Sequence, residues 1–153
     1  MYLVRKEFHQ DLPISLQEAW DFLATPKNLN LITPAEMNFS ILSGGNTPMH
    51  PGLIIQYTVT PLLGIPMDWV TEITHVEPLR FFVDEQRFGP YSCWHHEHWL
   101  EATPTGVRMI DILHYRVPLG PVGKLINALF ISKKVDSIFE YRTKVLNKMF
   151  PKV

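Results

Sequence analysis

Residues 81–115 read FFVDEQRFGPYSCWHHEHWLEATPTGVRMIDILHY, and the fold turns on how they are parsed. Two alternating segments, Phe81 to Phe88 and Ser92 to Leu100, flank Gly89-Pro90-Tyr91. A third, Val107 to Val117, follows the turn signal Thr103-Pro104-Thr105-Gly106. The pattern predicts a three-strand meander. Side chains alternate between the faces of a strand, so Phe82, Asp84, Gln86 and Phe88 share one side, as do Trp94, His96, His98 and Leu100 on the next. Val107, Met109, Asp111, Leu113 and Tyr115 form the matching set on the third strand.

Each set mixes large apolar groups with a few polar ones. A buried imidazole or carboxylate without a partner costs on the order of 2–7 kcal/mol, so these groups need one another. A short hairpin at Gly89 to Tyr91 places Gln86 opposite Trp94 and Asp84 opposite His96. A turn at Ala102 to Thr105 places His96 opposite Asp111 and His98 opposite Met109, whereas a two-residue slip places His98 opposite Asp111. Either register gathers an Asp/His cluster on one face. It reads as a self-satisfied network inside a core, or as the polar end of a cavity.

Outward from the meander, Tyr2 to Leu12 alternates and ends at Pro13, a first strand. Ser15-Leu16-Gln17-Glu18 has the form of a capping box, and Leu16, Ala19, Trp20 and Leu23 follow at helical spacing. Pro26 ends that helix or starts a second, carrying Leu29 and Ile32. Met37 to Leu42, Gly52 to Thr60 and Met67 to Val76 predict three more strands. The apolar loop Pro61 to Pro66 reads as a lid or portal, or as a loop folded under its own side chains. From Pro121 to about Met149 apolar groups recur at Val122, Leu125, Ile126, Leu129, Val135, Ile138, Phe139, Val145, Leu146 and Met149. That is one long amphipathic helix of about 29 residues and ~43 Å. Its length requires it to run diagonally across a sheet or bend.

Strand, two short helices, six strands and a long terminal helix define an α+β chain: seven antiparallel strands in a curved sheet around the C-terminal helix. The whole of 1–153 reads as a single domain, and 153 residues suffice for a substantial core. A net charge of −1 gives no electrostatic case for nucleic acid. The one cysteine, Cys93, excludes an internal disulfide, fits a reducing cytoplasm, and lacks the basic surroundings of a catalytic thiol. MYLVRKEF is charged within five residues and predicts no signal peptide, and no apolar run reaches the ~20 residues of a membrane span. Lys133, Lys134, Lys144 and Lys148 give the last helix a basic outer face, which is solvated or makes weak contact with a membrane surface.

Element order over the whole chain resembles the helix-grip proteins of the START-related SRPBCC superfamily, which includes polyketide cyclases and pollen-allergen relatives. The resemblance is sharpest at Phe82-Val83-Asp84-Glu85-Gln86, Gly89-Pro90-Tyr91, Trp94-His95-His96-Glu97-His98, Met109, Asp111, Tyr115, Pro118, Leu119-Gly120-Pro121 and Ile138-Phe139-Glu140-Tyr141-Arg142. Within the superfamily it is most similar to a bacterial branch of small stand-alone ligand-binding domains. The resemblance implies a cavity for an apolar or aromatic small molecule or lipid between the sheet and the last helix. Its branches divide between binders and enzymes, so fold alone does not choose.

The residues favour a binder without a cofactor, with a cyclase, dehydratase or hydrolase using a His–Asp acid/base pair as the alternative. Tyr57, Trp69, Phe82 and Trp94 are expected along the ligand, and Met109 is expected to be a ligand-binding residue as well. His96, Gln86 and Asp84 are expected at its polar end, and His98, Asp111 and Tyr115 among the other ligand-binding residues. In the enzyme reading His96 is the base, Asp84 or Asp111 orients it, and Tyr115 or Gln86 donates to a carbonyl. A two-His, one-carboxylate metal site can be drawn through His96, His98 and Asp84 or Asp111. Same-face neighbours on a strand stand about 6.6 Å apart, so one ion is reached only with particular rotamers, and the expectation is no metal. His95, Glu97 and His114 belong to the opposite, solvated face. Monomer and homodimer are both compatible with the sequence.

Overall fold

The computed structural model describes residues 2–61 and 64–151. Seven strands form one antiparallel sheet in the order β1-β7-β6-β5-β4-β3-β2: β1 (Val4–Leu12), β2 (Ser40–Ser43), β3 (Leu53–Val59), β4 (Met67–Glu77), β5 (Phe81–Phe88), β6 (Cys93–Thr103) and β7 (Gly106–Arg116). Register shifts interrupt the β4–β5 ladder at Val70/Thr71 and Ile73/His75 and the β2–β3 ladder at Ile41/Ser43. Bulges of this kind kink a strand and increase its twist, which lets the sheet curl. The helix-grip α+β architecture expected from element order is the one observed.

Helix α1 (Leu16–Leu23) carries the capping box: the Ser15 side chain accepts from the Glu18 amide, and the Glu18 carboxylate accepts from the Ser15 amide. The segment begun by Pro26 is a 3₁₀ helix, Pro26–Ile32, not an α-helix. The strand expected from Met37 starts three residues later. Ala35–Met37 forms a 3₁₀ turn that Asn38 closes in the left-handed region, and the buried Met37 carbonyl accepts from the Thr60 amide at 2.6 Å. Gly106 opens β7 under the end of β1, where an added Cβ would stand 2.1 Å from the Leu12 carbonyl oxygen.

The terminal helix runs from Gly120 to Met149 in three parts: α2 (Gly120–Ile126), a π-helical segment (Asn127–Ile131) and α3 (Ser132–Met149). The π segment inserts an extra residue into the turn and so resets which side chains face the sheet. Before it Leu119, Val122 and Leu125 are exposed, as are Leu129 and Phe130 within it; after it, Val135, Phe139, Arg142 and Leu146 form the buried stripe of α3. Among the buried side chains of the π segment itself is Asn127, which accepts from the Tyr115 hydroxyl at 2.8 Å and donates to the Tyr2 hydroxyl at 3.0 Å. A polar residue there is tolerated because both its groups are paired.

Helix α3 is tied to one side of the sheet. Lys6 on β1 bonds Asp136 at 2.5 Å, Gln10 donates to the Thr143 carbonyl and the Asn147 side chain at 3.0 and 3.1 Å, and Phe8 stacks on Phe139 at 4.0 Å. Leu146 is packed with Leu12, Leu100, Val107 and Met109 under α1. Among the described residues no helix is long and apolar enough to cross a membrane. Leu62 and Leu63, within the loop read as a lid or portal, lie outside the described residues; Pro61 is buried and Ile65 exposed.

Candidate functional site

The hairpin registers place the polar cluster. In β5–β6 Asp84 stands opposite His96, and in β6–β7 His98 stands opposite Asp111 while His96 faces Leu113. The second turn is therefore the slipped alternative: Thr103 pairs with Gly106, leaving a two-residue loop. Three adjacent strands thus present two imidazoles and two carboxylates on the inner face. His96 Nε2 lies 2.9 Å from Asp111 Oδ1, and His98 Nε2 lies 2.6 Å from Asp84 Oδ2. The cross contacts are longer, 3.5 Å from His96 Nδ1 to Asp84 Oδ2 and 3.3 Å from His98 Nδ1 to Asp111 Oδ1. The last is an electrostatic contact without hydrogen-bond alignment.

Helix α3 adds the fifth member. Arg142, 8% exposed, donates from Nη1 to Asp111 Oδ1 at 3.0 Å. Sequence reasoning assigned it no role, although a signal existed: it is a charged residue on the stripe Val135, Phe139, Leu146. Burial alone would raise Asp111, but the Arg142 charge and the His96 bond outweigh it and hold the carboxyl well below its usual range. Asp84 is likewise held down, against burial, by the His98 bond and both imidazoles. Burial disfavours a charged His98, yet its two carboxylate neighbours lift it above the ordinary imidazole value. Burial and the adjacent His98 charge depress His96. The two shifts run in opposite directions, so of the two imidazoles His98 takes up a proton first and His96 second. With His98 protonated and His96 not, the two carboxylates are matched by one guanidinium and one imidazolium, the state in which their burial costs least.

The cluster borders a cleft of about 160 Å³. Tyr57, Trp69, Trp94 and Phe139 line its body, Ile32 and Ile138 its helical side, and Asp84, His96, His98 and Arg142 its polar end. The aromatics brace one another: Trp69 meets Trp94 edge-on at 5.2 Å and Tyr57 at 5.8 Å, and Trp69 Nε1 donates to Thr71 Oγ1 at 3.1 Å. Burial pushes the Tyr57 hydroxyl far above the usual phenol value, so it stays protonated. On the other side of the cluster a pocket of about 80 Å³ is lined by Phe22, Ile55, Phe82, Asp84, His98 and Arg142.

Of the residues expected at the site, the structure brings Tyr57, Trp69, Trp94, Asp84, His96 and His98 to the larger cleft and Phe82 to the smaller, stacked on His98 at 4.1 Å. Asp111 sits behind the imidazoles, and three others stand away from the lining. Gln86 closes the β5–β6 turn by bonding both backbone groups of Tyr91, at 2.6 and 3.2 Å. Met109 lies in the solid core with Leu146, and Tyr115 is fully buried against Asn127. His95 and His114 lie on the outer face as expected, but half-buried: His95 bonds Glu85 at 2.9 Å and its ring approaches His114 at 6.1 Å.

No protein-family profile and no curated protein sequence matches this chain. Solved structures do. Protein CV1439 from Chromobacterium violaceum superimposes with a TM-score of 0.73 at 10% identity, over 97% of this chain and 99% of that one. The KanY protein gives 0.73 at 12% identity, over 99% and 100%, and Ara h 8.0201 gives 0.64 at 13%, over 96% and 99%. What the chain shares with these proteins, end to end, is the helix-grip fold.

Proposed function

We propose that this protein is a distant member of the START-related superfamily, in the bacterial stand-alone branch, and that it binds an apolar or aromatic small molecule in the cleft between sheet and helix. What carries the reading is an apolar, aromatic-walled space that ends in ionisable side chains already bonded to one another. Such a site accepts a ligand body by burial and orients one polar end by hydrogen bonding. Size narrows the class: a cavity of about 150 Å³ holds a benzene ring. A ligand of one to two rings or a short acyl segment is therefore favoured over a full-length lipid. Tyr57, Trp69 and Trp94 hold the body in this proposal; His96, His98 and Asp84 hold the polar end. The single cysteine supports a cytoplasmic location.

A second reading rests on one observation. Asp111 holds His96 Nε2 at 2.9 Å, and burial with the adjacent His98 charge lowers the pKa of this ring, which suits a general base for cyclisation, dehydration or hydrolysis. Native mass spectrometry of freshly purified protein, followed by thermal melts with aromatic and short-chain lipid compounds, tests the main reading. The expectation is one apolar molecule per chain, retained or added back, with a raised melting temperature. A bare chain in repeated preparations that no compound stabilises would sink both readings.

A further inference from the structure

We propose that Asp84, His96 and His98 bind one divalent transition-metal ion of the zinc class at the polar end of the cleft. The residue spacing on β6 argues against this only if the rings stand straight out from the strand. They do not. The two imidazoles lean together, centroids 3.8 Å apart and tilted by 39°, and one donor atom from each of the three residues lies within 4.8 Å of the others. Donors around a tetrahedral ion at ~2.1 Å stand about 3.4 Å apart. His96 Nδ1 already meets Asp84 Oδ2 at 3.5 Å, and the 2.6 Å contact from His98 Nε2 needs to open by less than about 1 Å.

The groups behind the donors support the same assignment. A histidine that ligates a metal typically gives its other ring nitrogen to a carboxylate, which sets the tautomer and aims the donor. Here Asp111 serves His96 in that way, its Oδ1 2.9 Å from Nε2 and anchored by Arg142, and it stands 3.3 Å from His98 Nδ1 as a charge contact only. The nitrogens left facing Asp84 are His96 Nδ1 and His98 Nε2. Imidazole and carboxylate donors without sulfur suit zinc, iron, cobalt or nickel rather than a soft ion. All three residues line the cleft, so a bound ion would border the ligand space.

The test uses the full chain after chelator treatment, titrated with zinc against a chromophoric competitor, with imidazole ¹⁵N shifts recorded before and after. The expected result is one equivalent of zinc, with shifts at His96 Nδ1 and His98 Nε2 and none at the exposed His9 and His75. Asp84→Asn, His96→Gln and His98→Gln should each abolish the tight equivalent. Asp111→Asn should weaken it by about 10–100-fold as a positioning residue, and His75→Gln should leave it unchanged. Circular dichroism establishes which variants fold; if none does, the ¹⁵N shifts of the unaltered chain decide alone. No saturable equivalent, shifts only at exposed histidines, or folded site variants with unchanged affinity would overturn the assignment. None of these readouts involves an apolar ligand, so this proposal and the ligand reading fail separately.

Discussion

The two halves of the sheet use the same strand chemistry with opposite results. Under β1 and β7 the interior is closed, with Leu12, Val107, Met109 and Leu146 each at most 4% exposed. Across β3 and β4 comparably apolar side chains, Val59, Trp69 and Ile73, face an open cleft and its smaller neighbour. The difference is not hydrophobicity. Helix α3 is fastened laterally, through Lys6, Phe8 and Gln10, to the β1 side, and the far strands are left to the 3₁₀ segment Pro26–Ile32 and to aromatic rings that brace one another. Close packing is the default of a protein interior. A space held open opposite a fastened helix is thus a property of the architecture, and the buried charges sit at the seam between the two regimes.

Breaking the seam should have the largest effect. Arg142→Met leaves the Asp111 carboxylate buried beside one fewer cation, and removing one partner of a buried pair costs about 3–5 kcal/mol. Denaturant unfolding should register it, and Arg142→Met with Asp111→Leu should recover part of the loss. In the closed half, Leu146→Ala should cost about 2–5 kcal/mol through lost burial and a new cavity, with ligand affinity unchanged. Acid unfolding follows the carboxylates. Asp84 and Asp111 are held below their ordinary values in the folded state. Their contribution is therefore complete above the unfolded value of about 3.9 and is lost as the pH falls below it. His98, held above its ordinary value, contributes oppositely: its share is complete below about pH 6.5 and declines as the pH rises through the folded value. A pH series of melts on the metal-free chain reads both limbs; an acid limb unchanged in a folded Asp111→Asn variant would contradict the assignment.

Smaller effects sharpen the contrast. Ser15→Ala removes the α1 cap and should cost about 1 kcal/mol by thermal melt, without touching the cleft. Ile138→Trp fills the open half and should change stability by no more than about 1–3 kcal/mol, while blocking ligand uptake in native mass spectra. Equal stability losses from Leu146→Ala and Ile138→Ala would mean that the two halves are packed alike after all.

Strand positions and faces were legible because alternation is strict through the meander, and the Asp/His cluster followed from it. The register was not: His96 or His98 opposite Asp111 depended on whether the Pro104-Thr105 loop held two residues or four, and both patterns keep the same side chains inside. Arg142 was hidden because a helical stripe is read by its apolar members, and the π segment because its five residues carry no breaker. Gln86, Met109 and Tyr115 share a strand face with the cleft residues but sit at depths that strand periodicity does not encode.

The four tryptophans give the most direct test of the central claim, that the open half takes an apolar ligand. Trp69 and Trp94 line the cleft, whereas Trp99 stacks on Phe81 and Trp20 packs against the closed core. In a titration with 1-naphthol or a short-chain fatty acid followed by indole N–H resonances, Trp69 and Trp94 should shift saturably while Trp20 and Trp99 stay in place. Four unmoved resonances, or four moving together without saturation, would contradict it.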